Sequence, residues 1–197
     1  MPKYERPVTS CMKRLFVSVD LDGLADEIGA VQERFADASG LRPTDPGQAH
    51  VTLKFLGDTD ADRIPDVVTA LETAVEDSGV DPFEAEFGGL GVFPSRDYIS
   101  VVWVGVREGQ GAAELTALHD AIEGRTTALG FEPEDHDFTP HATIGRMDHA
   151  GGKELVQRVV READPAVGRL AVEEIRLTES RLREDGPEYR TVESVSL

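Results

Sequence analysis

Apolar and polar positions along this chain recur with two different periods, in an order that is used twice. The run "RLFVSVD" at 14–20 is short, apolar and rich in strand-forming residues, and predicts a strand. Leu24, Ile28, Val31 and Phe35 then recur at spacings of four, three and four, the signature of a helix with one buried face. A loop with Gly40, Pro43, Pro46 and Gly47 leads into a second strand, "HVTLKFLG". After Asp60 and Asp62, the positions Ile64, Val67, Val68, Leu71 and Val75 predict another helix.

Downstream the order repeats. "ISVVWVGV" at 99–106 predicts a strand, and Leu115, Leu118, Ile122 and Leu129 form one helical stripe. The loop "GFEPEDHDFTP" precedes "HATIGR", a short strand, and Leu155, Val156, Val159 and Val160 mark a further helix. Two more strands are expected in "RLAVEEIRLTESRL" and "YRTVESVSL", separated by the turn signal Gly186-Pro187. Each half thus holds a strand, a helix and a strand that opens His-x-Thr. His50 lies 36 residues after Arg14, and His141 lies 40 after Val101. That matched spacing reads as an internal duplication, and sheets alternating with helices exclude a helical bundle.

Strand alternation separates the residues of "HVTLKFLGD" into two sets. His50, Thr52 and Lys54 share one face; Val51, Leu53 and Phe55 share the other, which is expected to be core. For Lys54 two readings stay open, a group at the equipped face of the strand and an ordinary solvent-facing charge.

Composition narrows the setting. The 197 residues suffice for one compact unit. A polar extension is expected over 1–11 and a single domain over 12–197, and Met12 is an alternative start. There are 38 acidic and 20 basic residues, a formal charge of -18, and the only lysines are Lys3, Lys13, Lys54 and Lys153. This is the balance of a protein kept soluble in concentrated salt. Such a charge disfavours a polyanionic partner at low salt, but at molar ionic strength the Debye length is ~3 Å and the objection weakens. Cys11 is the only cysteine, which excludes an internal disulfide and a cysteine metal cluster. No run approaches a membrane span and "MPKYERPVTSC" lacks a signal-peptide core, so a cytoplasmic location is expected. The lack of a long exposed apolar stripe favours a monomer.

Two histidines, each with a threonine on the same face, suit displacement at phosphorus without a metal. One imidazole takes a proton from the attacking oxygen and the other gives one to the leaving oxygen. Threonine hydroxyls can donate to the non-bridging oxygens, where charge builds up. Zinc would call for a His-x-x-x-His helix or nearby Cys and carboxylate partners, which His50 and His141 lack. No metal or cofactor is expected. His119, within "ELTALHDAI", reads as a solvated or partly buried helix residue; His136 and His149 read as loop residues flanking the second motif. Trp103 and Phe93 read as packing residues, and Tyr98 as a rim contact.

The stretches "HVTLKFLGD" and "FTPHATIGR", with "RLFVSVDL", "VFPS", "WVGV" and "LTESRL" in the same order, resemble the RNA 2′,3′-cyclic phosphodiesterases. These are the LigT-like proteins or 2′-5′ RNA ligases of the two-histidine phosphoesterase superfamily. The resemblance runs from about Arg14 to the C-terminus. It implies an α+β fold of two pseudo-symmetric lobes, each an antiparallel-rich sheet with helices on its outer face, around a central cleft. It also implies hydrolysis of an RNA 2′,3′-cyclic phosphate to a 2′-phosphomonoester, with 2′-5′ ligation as the reverse. By that likeness His50 is the proton donor to the departing 3′ oxygen and His141 the base that activates water. Thr52 and Thr143 bind phosphoryl oxygens, and Arg146 matches an arginine that follows the second motif.

Parity raises a difficulty for Arg146. Five residues from His141, a regular strand points it to the opposite face, so it reaches the cleft only where the strand ends or bulges. The chain also departs from the family pattern, with "RDYIS" after "VFPS" where an Arg-Pro stretch is common and "EDHD" before "FTPH" where basic residues are common. Both changes remove positive charge near the expected RNA entrance. Two other readings remain: a phosphodiesterase acting on a small cyclic nucleotide, and a non-catalytic module that binds RNA or nucleotides.

Overall fold

The computed structural model describes residues 11–184 and 186–197. The extension expected over 1–11 lies, apart from Cys11, outside the described residues. Its neighbour β1 (Met12–Asp20) is followed by α1 (Ala25–Gln32), which continues as a 3₁₀ turn to Phe35. The short β2 (Leu41–Pro43) and a second 3₁₀ turn lead into β3 (His50–Asp60) and α2 (Ile64–Ser78). The second half opens with β4 (Phe83–Pro94) and β5 (Ile99–Val106), then α3 (Ala112–Ala128), β6 (His141–Met147) and α4 (Lys153–Glu162). Three strands close the chain: β7 (Ala166–Val172), β8 (Glu174–Arg183) and β9 (Gly186–Ser196).

Helix ends follow local chemistry. At the entry to α2 the Asp60 carboxylate accepts the Asp62 amide at 3.1 Å, and Pro65 sits in the first turn, where its missing N–H costs no bond. Gly79 ends that helix at φ 62°, a left-handed conformation that glycine adopts without a Cβ penalty.

The strands form one antiparallel sheet in the order β7-β4-β5-β6-β3-β1-β8-β9, with β2 paired to β6. The two wings of this continuous sheet are β3-β1-β8-β9 and β6-β5-β4-β7; the C-terminal β8 and β9 return to the first, and β2 from the first half joins the second. The wings meet through a single bridge, Val51 on β3 opposite Ala142 on β6. About this bridge the order is pseudo-two-fold, with β3 flanked by β1 and β6 by β5. The helices cross over. α1, which follows the first strand of the first half, packs on β6 and β7; α3, its counterpart, packs on β3 and on α2. A core of Leu15, Val17, Leu53, Leu71, Leu118, Ile122, Ile144 and Ile175, all essentially sealed from water, fills the space between sheet and helices. Burial of such side chains is the dominant favourable contribution to the fold.

The α+β architecture and the duplicated order agree with the sequence reading, and four details differ from it. β4 carries Gly88, Gly89 and Gly91 where alternation is expected, so it has no strand pattern. The run "RLAVEEIRLTESRL" is two strands at opposite ends of the sheet, with β7 against β4 and β8 against β1. Lys54 is fully buried rather than at a polar face, and Phe55 is 66% exposed rather than core. The last two have one cause. Val17 pairs with Lys54 but Ser18 with Thr52, so Leu53 is an extra residue, a bulge, and Lys54 and Phe55 change face before a second bulge at Leu56 restores the original parity.

No helix among the described residues is long and apolar enough to cross a membrane.

Candidate active site

The Val51–Ala142 bridge sets the site. Continuing that antiparallel register puts His50 opposite Thr143 and Thr52 opposite His141, four side chains on one face. All four are half-buried, in contrast to the sealed Val51 and Ala142 between them. On the outer sides, Asp20 pairs with His50 across β1, and Gly105 with His141 across β5.

Both imidazoles are held in the same way. His50 donates Nδ1–H to the Gln48 carbonyl at 2.8 Å, and His141 donates Nδ1–H to the Thr139 carbonyl at 2.6 Å. A carbonyl only accepts, so the proton sits on Nδ1 in the neutral form and Nε2 is left free for chemistry. Aromatic rings wall both groups. Phe16 lies 4.9 Å from His50 and Tyr189 meets it edge-on at 4.9 Å; Phe93 meets His141 edge-on at 4.9 Å, with Trp103 at 5.7 Å. The Tyr189 amide donates to Gln48 Oε1 at 2.9 Å, tying β9 to the turn that orients His50.

Burial lowers the pKa of His50, and the Gln48 bond and the Asp20 carboxylate only partly oppose it. Burial lowers His141 as well, opposed by the Thr139 bond and reinforced by the charges of His50 and Arg146. Both histidines are thus predominantly neutral at pH 7 in the free protein. Burial also raises Tyr189, which keeps its proton, against a smaller opposing effect of Arg146.

Arg146 reaches this cleft, and a bulge is the means. Trp103 pairs with Thr143 and Val102 with Gly145, so Ile144 is the extra residue and the strand changes parity before Arg146. Arg146 is exposed and makes no ion pair with any of the described residues, and it acts electrostatically on His50, His141 and Tyr189 together.

The other candidates separate. Lys54 lies behind the site, its Nζ 2.6 Å from Glu123 Oε2 and donating to the Glu132 carbonyl at 2.7 Å. His119, expected to be at least partly solvated, is buried and bonds through Nδ1 to the Leu53 carbonyl at 2.7 Å. His136 is exposed beside Asp135, and His149 accepts the Gly151 amide within its own loop. Tyr98 is exposed at the β4–β5 hairpin. Phe93 and Trp103 pack as expected, but their packing partner includes His141. Phe16, Gln48 and Tyr189 escape sequence reasoning. Phe16 and Tyr189 are apolar letters in ordinary strand patterns, and the role of Gln48 is carried by its backbone. Only the pairing register reveals them.

Known proteins resemble this chain over most of its length. A sequence profile described as the 2′-5′ RNA ligase superfamily matches residues 21–184. The RNA 2′,3′-cyclic phosphodiesterase of Methanothermobacter thermautotrophicus is 33% identical over 185 residues, covering 91% of this chain and 96% of that protein. The Aeropyrum pernix protein of the same name is 37% identical over 147 residues, 74% of this chain and 80% of that one. Among solved structures, E. coli LigT complexed with 3′-AMP superposes with a TM-score of 0.74 at 23% identity, covering 95% of this chain and 99% of that one. With the profile spanning most of the chain and relatives alike over nearly their whole length, the protein belongs to the 2′-5′ RNA ligase superfamily.

Proposed function

We propose that the protein hydrolyses RNA 2′,3′-cyclic phosphate ends to 2′-phosphomonoesters by acid–base catalysis between His50 and His141, without a metal. The observation that carries this reading is the square of two histidines and two threonines around the Val51–Ala142 bridge, each imidazole locked through Nδ1. The names of its relatives supply the substrate class.

In this reaction His141 Nε2 removes a proton from water as the water oxygen bonds to phosphorus. The bond from phosphorus to O3′ breaks, and His50 Nε2 delivers a proton to that oxygen. Thr52 and Thr143 donate to the non-bridging oxygens, and the Arg146 fork neutralises charge that grows there. The resting histidines are mostly neutral, so the phosphoryl anion and the neighbouring Asp20 favour the protonated His50 that the acid step requires. Phe55, brought by its bulge to the His50 side and 6.3 Å from Phe16, offers an exposed ring on which the terminal base stacks. Both halves of the site come from one polypeptide, so the chain acts as a monomer in this reading. With a 5′-hydroxyl RNA end in place of water, the same groups form a 2′-5′ linkage: His141 takes the 5′-hydroxyl proton as that oxygen bonds to phosphorus, and His50 protonates the departing O3′.

The test is incubation in high KCl and EDTA with an oligonucleotide ending in 2′,3′-cyclic phosphate, followed by identification of the product. A 2′-phosphate is expected; a 3′-phosphate, or turnover only with added metal, refutes the mechanism. His50→Ala and His141→Ala should each lose about 10²- to 10⁴-fold in rate. Equal efficiency on a cyclic mononucleotide would favour the small-nucleotide reading, and RNA binding without turnover would favour the non-catalytic module.

A further inference from the structure

The two bulges that re-aim Phe55 and Arg146 are fastened by side chains from the crossed-over helices. Leu53 and Ile144 each stand third after the motif histidine, and each is the extra residue of its strand. A bulge frees backbone groups from the ladder, and a buried carbonyl so freed needs a donor. The Leu53 carbonyl takes its bond from His119 Nδ1 on α3 at 2.7 Å. The Ile144 carbonyl takes one from Gln32 Nε2 on α1 at 2.9 Å and another from the Thr44 amide at 3.1 Å. α1 belongs to the first half of the sequence and α3 to the second, so each helix holds the motif strand of the other half.

Each anchor also grips the segment entering the opposite motif. Gln32 Nε2 donates to the Thr44 carbonyl at 2.8 Å, and the Thr44 hydroxyl donates to the Thr143 carbonyl at 3.0 Å. Four residues beyond Thr44 is Gln48, whose carbonyl orients His50. On the other side the His119 ring stacks on Phe138, 4.2 Å between centroids and 6° from parallel. Phe138 immediately precedes Thr139, whose carbonyl orients His141. Every orienting contact of one motif is thereby tied to the bulge of the other.

We propose that Gln32 and His119 are positioning residues, a crossed pair that fixes the cleft orientation of Arg146 and the relative placement of the two motif histidines. The proposal rests on the site assigned above. Neither side chain touches the reacting groups; both act through the backbone. Side-chain donors on both sides of the pseudo-two-fold, with the stacking of His119 on Phe138 on one of them, make space-filling alone an insufficient account, because a space-filler needs no donor.

Gln32→Met preserves length and removes the donor. The affinity of the folded protein for inorganic phosphate, read by calorimetry, should fall about tenfold in Gln32→Met, within the coupling range of residues that share a network. In an Arg146→Ala background the same change should alter phosphate affinity less than about twofold, because the group that Gln32 aims is already gone. Losses that multiply in the double variant, or phosphate affinity unchanged in Gln32→Met, overturn the role of Gln32. His119→Phe keeps a ring against Phe138 but cannot donate to Leu53, whereas His119→Gln restores a donor without the ring. The rate on cyclic-phosphate RNA should fall about tenfold in the first and recover most of it in the second, each compared at temperatures where it is folded. Equal losses in the two, or none in His119→Phe, overturn the role of His119. If the unaltered protein binds phosphate but turns over no cyclic phosphate, the proposed function fails while the phosphate comparison still decides Gln32.

Discussion

Lys54→Met should be among the most destabilising single substitutions outside the apolar core. The ammonium is sealed from water, 2.6 Å from Glu123 Oε2, and donates to the Glu132 carbonyl at 2.7 Å; Glu123 in turn accepts the Glu134 amide at 2.8 Å. Methionine fills the same volume and leaves a carboxylate without its counter-ion and a carbonyl without its donor. Breaking a buried pair from one side costs about 3–5 kcal/mol, against about 0–1 kcal/mol for an exposed pair. The Glu123 side chain is 22% exposed, so water softens the loss and the lower end, about 3 kcal/mol, is the expected value. For a domain of this size that is a fall in Tm of about 6–12 °C. Burial pushes the Glu123 carboxyl up, but the Lys54 contact and the Glu134 amide outweigh it and hold the group below the usual carboxylate range. Its contribution is therefore present above the ordinary carboxylate pKa and is lost as pH falls through the lowered one. In Lys54→Met the ammonium is gone and the Glu134 amide remains as the main opposition to burial, so the Glu123 carboxyl moves up and the deficit should shrink on acidification as Glu123 takes up a proton. Urea titration at pH 7 and pH 5 measures both effects, and Lys54→Met/Glu123→Met should recover most of the loss. A cost under about 1 kcal/mol at pH 7 with an unchanged m-value would refute the reasoning, since it would make the ammonium equivalent to a surface charge.

Burial lowers both motif histidines, so the optimum of kcat/KM should fall below the ordinary histidine value of about 6.5, and a pH–rate profile with its maximum above about 7.5 would contradict that. Asp20→Asn removes a charge that raises His50 and should move the alkaline limb of that profile to lower pH, with the acid limb of His141 little changed. Gly91→Ala places a Cβ in overlap with the Trp103 indole, which packs on Phe93 near His141; the cost should be about 1–3 kcal/mol by urea unfolding, with altered emission from the single tryptophan.

Periodicity made the fold legible wherever one face of an element is uniformly buried. α2, with Val67, Leu71, Ala74 and Val75 inside, follows that rule, whereas β1, buried on both faces over five successive residues, is legible instead as a short continuous apolar run. β4 shows neither pattern, because its glycines are imposed by neighbours and not by the strand: a Cβ at Gly88 would meet Arg107 and the Pro165 carbonyl, and one at Gly91 the Trp103 ring. The division of "RLAVEEIRLTESRL" into β7 and β8 is equally silent, since a crossover between sheet ends leaves no mark when both strands are similarly apolar. At the site, the histidines and threonines were legible because they precede the bulges. Lys54, Phe55 and Arg146 follow them, and parity counted along a regular strand assigns all three to the wrong face. A bulge is a property of pairing between strands, so a single strand's letters do not encode it.

Charge is where the whole-chain number and the site diverge most. Most arginines in ion pairs here are spent on neighbouring carboxylates: Arg176 on Asp20, Asp22 and Glu174, Arg169 on Glu84 and Glu86, Arg107 on Asp164, Arg42 on Asp148. Those pairs cancel locally and leave nothing for a phosphate. Arg146 differs because the bulge at Ile144 carries it away from its strand's outer face to a wall built of imidazole and aromatic rings. A formal charge of -18 therefore repels an RNA end at distances set by the Debye length, about 10 Å at 0.1 M and about 3 Å at 1 M salt. Within the cleft, contact distances are shorter than either and the half-buried walls screen less. The attraction that matters is then that of one uncompensated guanidinium, and salt that suppresses the surrounding repulsion leaves much of it in place.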